Sequence, residues 1–301
     1  MKRNIILLTV LCLIAGVSAK ELKVLMIGNS FSNSVKIYFP KVVQASGKHT
    51  LILGSASIGG CTLQRHCQNI DKELKDPEFR AYTFTCTGEK SQKKSVTEAL
   101  KHKKWDIVTI QQASAHSYKP EMTKEYAAKL IAYVKKLAPQ AEIVIQQTWA
   151  WRTDSSRFRS KKESLSQEKM YTKLVANYNE LAKTHNLRII PVGTAVQLFR
   201  QKLPVKAVKY TQDQIKALKK PAVLDLSGGD VVGWMRWLAS SKDAPYNDTA
   251  HLNDKGAFMQ GCIWYMVLFD EPASAVKLKH KSKDLPLLLQ CAEEAVKQYK
   301  K

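Results

Sequence analysis

The stretch "VLMIGNSFSNS", residues 24–34, decides the fold. Val24, Leu25, Met26 and Ile27 make an apolar run that stops at Gly28 and gives way to Asn29, Ser30, Phe31 and Ser32. A short apolar run bounded by glycine and small polar residues reads as a buried strand. The polar cluster therefore falls where a strand hands over to a helix.

The same kind of run recurs as "TLILGSA" (50–56), "DIVTIQQ" (106–112), "AEIVIQQT" (141–148) and "LRIIPVG" (187–193). With "LKVLMIG" (22–28) these make five candidate strands. Amphipathic stretches with apolar residues at three- and four-residue spacing lie between and after them, near 34–46, 93–103, 122–137, 166–185 and 194–202. Such alternation builds a mostly parallel sheet covered by helices on both faces, with ligands beyond the carboxyl ends of the strands. Residues 24–34 then lie at the functional edge. Two segments break the rhythm, 149–165 and 204–247, and read as insertions that shape access to that edge. "HLNDKGAFMQGCIWYMVLF" reads as a helix opened near Asn253 to Gly256 and packed on the sheet.

Composition bounds what such an edge can serve. With 301 residues and 45% hydrophobic content the chain can bury a sizeable core, so disorder is excluded as its general state. Lys2 and Arg3 precede an apolar run from Ile5 to Val17, and "VSA" ends at Ala19, the pattern of a cleaved export signal. That run is too short for the ~20 residues that span a bilayer. The residues before Cys12 do not form a lipoprotein cleavage box. The reading is a signal peptide over 1–19, a single domain over 20–301 carrying the two insertions, and a periplasmic or extracellular address.

Beyond Cys12 stand Cys61, Cys67, Cys86, Cys262 and Cys291, an odd set that cannot all pair within one chain. An oxidising address permits a bridge among the first three, whereas Cys262 lies in an apolar run and reads as a packed thiol. Cys61, His66 and Cys67 lack the CxxC or HxxxH spacing of a zinc site, so no metal is expected. The net charge of +22 admits an anionic polysaccharide as partner, but the lysines are mostly interleaved with acids or helix formers, as on solvated helix faces. Without interleaved aromatics or a recognised module, nucleic acid is not expected as a partner.

The motifs at the strand ends carry the chemistry. Gly54 to Gly59 has phosphate-loop spacing, but Gly60 stands where the lysine should be. No GxGxxG follows the first strand, and "GNSFS" has Ser32 where a GxSxG elbow needs glycine. A serine hydroxyl needs a base to remove its proton and a third group to orient that base. "NDTAHLND" supplies Asp248 and His251, three residues apart, and Ser30 is the hydroxyl. Backbone N–H groups at Gly60, in "IGGCT", and a side-chain amide from Gln111 or Gln112 could bind an oxyanion.

At these residues the chain resembles the SGNH, or GDSL-like, hydrolase superfamily. "GNSF" matches its first block at Gly28 and Ser30 and loosely at Asn29 and Phe31, Gly60 matches the second, and "DTAH" matches the last in type and spacing. The third block departs: "IQQAS" has no Gly-x-Asn-Asp, and is similar to the Gln-Gly-Glu form of the acetylxylan and sialate O-acetylesterase branches. "QQTWAWR", "PVGTAVQLFR" and "HLNDKGAF" extend the likeness to a bacterial SGNH-like family over most of residues 22–272.

The resemblance implies a flavodoxin-like three-layer α/β sandwich with a mostly parallel five-stranded sheet. It also implies a serine esterase with Ser30, Asp248 and His251 as triad. Its oxyanion hole would be Ser30, Gly60 and Gln111, with Gln112 as the fallback, and no cofactor is needed. Removal of O-acetyl groups from a glycan is the expected reaction. Trp149 and Trp151 are candidates to stack on sugar rings and Arg152, Arg157 and Arg159 to meet acidic groups, with His66 and His116 lining the pocket. Packing of the insertion onto the body is the competing role for the tryptophans. A non-catalytic anionic-glycan binder on the same scaffold, or an O-acetyltransferase with the same triad, stay open as alternatives.

Overall fold

The computed structural model describes residues 18–159, 164–203, 210–224, 226 and 229–300. The expected leader lies outside the described residues up to position 17, Cys12 included. The first strand, β1 (Glu21–Gly28), is buried from Val24 onward because its apolar run has no polar face to offer water. A four-residue turn of helix, α1 (Ser30–Asn33), leads into α2 (Val35–Ser46) and then β2 (Thr50–Ser57).

After β2 come α3 (Leu63–Lys75), β3 (Tyr82–Cys86), β4 (Gln92–Lys94) and α4 (Val96–Lys101), the last held by a reciprocal Ser95–Glu98 capping box. Next are β5 (Ile107–Ile110), α5 (Lys124–Leu137), β6 (Glu142–Gln146), α6 (Gln167–His185), β7 (Arg188–Ile190) and α7 (Val192–Lys202). The chain closes with α8 (Gln212–Lys216), the hairpin strands β8 (Val232–Arg236) and β9 (Tyr246–Leu252), α9 (Asp254–Phe269) and α10 (Leu285–Tyr299).

The main sheet runs β4-β3-β2-β1-β5-β6-β7. All pairs from β2 through β7 across the centre are parallel, and β3 and β4 add an antiparallel edge. The parallel part therefore has the 2-1-3-4-5 order of a doubly wound sheet, with its switch point between β1 and β5. All five expected strands are present. The sheet has seven, not five: β4 (Gln-Lys-Lys) is a three-residue edge strand with no apolar residue, and β3 alternates Tyr82, Phe84 and Cys86 with threonines instead of showing the continuous apolar run of the central strands.

Helices α2, α7, α9 and α10 pack together, while α3, α4, α5 and α6 contact one another in succession. From Lys255 to Phe269 nearly every α9 side chain is buried, and its start is capped by Asn253, whose Oδ1 accepts from Gly256 N–H at 3.1 Å. No helix among the described residues is long and apolar enough to cross a membrane. The five described cysteines are all buried free thiols, so the bridge that an oxidising address would permit among Cys61, Cys67 and Cys86 is not formed.

Candidate active site

Residue 29 organises the strand end. Asn29 is extended (φ −135°, ψ −158°) and caps α1, its Oδ1 accepting from Phe31 N–H at 3.0 Å. The same oxygen accepts from Gln111 Nε2 at 2.7 Å, and Asn29 Nδ2 donates to Cys61 C=O at 2.9 Å. One buried amide thus ties the end of β1 to the loops after β2 and β5. Ser30, the next residue, is half-buried at the first helical position.

Ser30 Oγ lies 2.8 Å from His251 Nε2, and His251 Nδ1 lies 2.7 Å from Asp248 Oδ2. Asp248 Oδ1 accepts from the backbone N–H of Ala250 and His251 at 2.8 and 2.7 Å, which folds the Asp-x-x-His segment so that carboxylate and ring meet. Burial opposes the charge on Asp248, but the His251 ring and these two N–H groups outweigh it and hold its carboxyl below the usual carboxylate range. An ionised Asp248 keeps a proton on Nδ1 and so presents Nε2 as the acceptor for the Ser30 hydroxyl. The structure brings these three residues together in the relative positions of a nucleophile, a base and its orienting acid.

The histidine is braced from below. Its ring meets the Phe31 ring edge-on at 5.3 Å, and Phe31 stacks on Trp149 at 4.2 Å with planes 3° apart. Trp149 Nε1 donates to Ala250 C=O at 2.7 Å, and Arg152 N–H to Thr249 C=O at 2.8 Å, so the loop after β6 holds the segment carrying His251. The His251 side chain itself remains 37% exposed.

Gly60 sits in a turn closed by Cys61 N–H donating to Ile58 C=O at 3.2 Å. Its φ of +62° is the left-handed region that favours glycine, and the residue is exposed. Gln111 is buried at the head of an amide chain: its Oε1 accepts from Gln146 Nε2, and Gln146 Oε1 accepts from Gln260 Nε2 at 2.8 Å and Trp264 Nε1 at 2.7 Å. One Gln111 amide proton is held by Asn29; a primary amide has two.

Gln112 faces elsewhere. Its Oε1 accepts from Leu63 N–H at 3.1 Å and Ala113 N–H at 2.8 Å, while Nε2 donates to Met122 C=O at 2.7 Å. This amide fastens the start of α3 to the loop after β5, which removes it as the fallback oxyanion donor.

The expected substrate contacts are also corrected. Trp149 is fully buried in its stack on Phe31, and Trp151 is buried against Tyr118 and Phe158. Arg152, buried as well, gives its Nε and Nη2 to Asp154 at 2.6 and 2.9 Å and Nη2 to Asn247 at 2.8 Å. His66 is buried with Nδ1 2.9 Å from Tyr82 Oη, and burial, aided by Arg65, pushes its pKa down to about 3. All four are framework. His116 is half-buried, and Arg157 and Arg159 are exposed.

The sequence motifs name Asn29 and Phe31 only as loose matches to the first block, without their roles as a three-way tie and as the ring under His251, and they give no sign of Gln146, Gln260 and Trp264 in the amide chain. An Asn directly before the first helical residue is a readable cap signal, but none of the long-range partners has a local one.

Among solved structures, a DUF4886 family protein from Bacteroides uniformis is similar at 26% identity, over 92% of this chain and 95% of that one, with a TM-score of 0.71. A candidate SGNH hydrolase from Slackia heliotrinireducens is 17% identical over 80% of this chain and 96% of its own, TM-score 0.47. A catalytic mutant of an acetylxylan esterase from Geobacillus stearothermophilus is 12% identical over 81% and 92%, TM-score 0.41. No curated protein matches the chain. Residues 23–214 match the model of the family described as Domain of unknown function (DUF4886), and the chain belongs to that family.

Proposed function

We propose that this protein is an exported serine esterase of the SGNH type that removes O-acetyl groups from a carbohydrate. The observation that carries the reading is the continuous chain from Ser30 Oγ through His251 to Asp248, at 2.8 and 2.7 Å. His251 Nε2 takes the Ser30 proton as the oxygen attacks the ester carbonyl, and Asp248 stabilises the imidazolium. The tetrahedral oxyanion is held by the N–H groups of Ser30 and Gly60 and by the second amide proton of Gln111. Collapse of this intermediate breaks the C–O bond to the sugar, His251 gives its proton to the departing sugar oxygen, and acyl-Ser30 remains. Water, deprotonated by His251, attacks the acyl-Ser30 ester, and collapse of that second intermediate releases acetate and restores the serine. No metal or organic cofactor enters these steps.

The openness of the site supports a polymeric substrate. With His251 over one-third exposed, the reacting serine is approached from an open edge, suited to a small acyl group hanging from a bulky glycan. The test is hydrolysis of 4-nitrophenyl acetate and of acetylated xylo-oligosaccharide by protein beginning at Lys20. Ser30→Ala should lower kcat by roughly 10⁴-fold or more with the fold intact. Turnover that survives Ser30→Ala would overturn the reading.

A further inference from the structure

The tryptophans after β6 are buried, whereas the β8–β9 hairpin, whose second strand also carries Asp248 and His251, presents Tyr246 to solvent. Gly233 sits at an irregularity of that hairpin with φ +101°, and a Cβ there would lie 2.2 Å from Arg152 Nη1. Only glycine lets the strand pass over the buried guanidinium. Beyond the bulge, Trp234 pairs with Asp248 and Arg236 with Tyr246. Residues directly opposite in an antiparallel pair share a face, so Trp234, Arg236 and Tyr246 lie on the face of Asp248, whose carboxylate turns to His251.

These three side chains form one assembly. Tyr246 is 45% exposed, with its ring 5.5 Å from that of Trp234 at 46°. The Arg236 guanidinium covers the Trp234 ring at 4.3 Å. The pair holds each other in place, as an arginine stacked on indole loses little further freedom on binding. Arg236 is exposed and has no carboxylate partner among the described residues. From behind, Asn247 is fixed by Arg152 Nη2 at 2.8 Å, and Trp237 Nε1 donates to Ala222 C=O at 2.9 Å, so the hairpin is anchored on both sides. Tyr246 is five strand residues from His251, roughly 16 Å along the chain, and Trp234 is nearer. That span reaches a neighbouring sugar and not the acyl group itself.

We infer that Tyr246 and Arg236, seated on Trp234, form a subsite for an acidic, uronate-type sugar ring of the acylated glycan whose ester is cleaved at Ser30. The inference rests on the esterase reading. The phenol ring supplies an apolar face for the sugar ring, and the guanidinium fork supplies paired donors for its carboxylate. The chain's charge of +22 favours the same substrates at longer range.

The experiment compares acetate release from acetylated oligogalacturonate and acetylated xylo-oligosaccharide, with binding of unacetylated oligogalacturonate to Ser30→Ala protein followed by calorimetry. Arg236→Gln should raise KM for the acidic substrate by roughly tenfold, erasing its preference over the neutral one. Tyr246→Ala should raise KM for both, and Tyr246→Phe should restore it. If hydrolysis depends on Ser30 but neither Arg236→Gln nor Tyr246→Ala moves KM on either glycan, the subsite is overturned and the esterase stands. If Ser30→Ala protein binds oligogalacturonate through Arg236 and Tyr246 while the parent hydrolyses no ester, the subsite stands and the esterase falls.

Discussion

At the residue scale, Asp248 has two separable duties. Its carboxylate orients His251 and, through two backbone N–H groups, shapes the segment that carries it. Asp248→Asn keeps the size but offers an amide where an ionised acceptor is needed, favouring the wrong tautomer of the ring. We expect kcat to fall by roughly 10⁴-fold with KM little changed, read on 4-nitrophenyl acetate. The same group gives a pH signature. Because its folded-state carboxyl is held below the usual range, its charge stabilises the fold above the unfolded value of about 3.9, and that stabilisation is lost as pH falls through the depressed folded value. The stability gap between parent and Asp248→Asn should therefore be constant near neutrality and narrow below about pH 4. Urea midpoints measured from pH 7 down to 3 decide it: a gap that widens toward acid would contradict the sign.

At the element scale, the proposed chemistry depends on joints between strand ends. Gln111 and Gln112 are neighbours in sequence, yet one heads the amide chain beside Ser30 and the other fastens α3. Gln111→Ala should lower kcat by roughly 10²- to 10³-fold while leaving KM near its parent value. Gln112→Ala strands Leu63 N–H, Ala113 N–H and Met122 C=O, and should cost about 3 kcal/mol of stability with turnover per folded molecule retained. Denaturant titration beside active-site-normalised rates separates the two, and reversed effects would reassign the oxyanion donor. Trp149→Phe keeps a ring under Phe31 but loses the hydrogen bond to Ala250 C=O, so we expect about a tenfold loss in kcat as His251 loosens. These joints mark the limit of what the chain discloses by itself. "LKVLMIG" and "DTAHL" were readable because an apolar run and a three-residue Asp–His spacing are local patterns. The outward or inward sense of Trp149, Trp151 and Trp234 is set by which layer covers them, and a loop sequence carries no period that says so. Hairpin strand β9, "YNDTAHL", hides likewise, since its polar triad residues interrupt the alternation that marks a strand.

At the scale of the whole molecule, the doubly wound order sets the edge at which the proposed chemistry would occur, and the net charge of +22 would favour anionic substrates there. Five parallel strands all deliver their carboxyl ends to one edge, so Ser30, Gly60 and Gln111 converge from β1, β2 and β5 although 82 positions separate Asn29 from Gln111. The βα alternation announced that edge, and the resemblance, not a strand order, singled out Ser30, Gly60 and Gln111 on it. Whether the basic surface has a partner was not legible, because a lysine on a helix face looks the same whether it meets water or a polyanion. Its role can be isolated from catalysis by salt. Attraction between exposed charges fades as the screening length drops from about 10 Å at 0.1 M to about 3 Å at 1 M, whereas the proposed attack of Ser30 on a small neutral ester would involve no such approach. Retention on an immobilised sulfated glycan should therefore fall steeply between those salt concentrations, while turnover of 4-nitrophenyl acetate stays within about twofold. Arg157, exposed over the Trp151 ring at 5.1 Å, lies in the basic insertion, and Arg157→Ala should shift elution to lower salt with no change in ester turnover. Retention that ignores both salt and Arg157 would mean that the charge serves the solvated helix faces and recruits no polyanion.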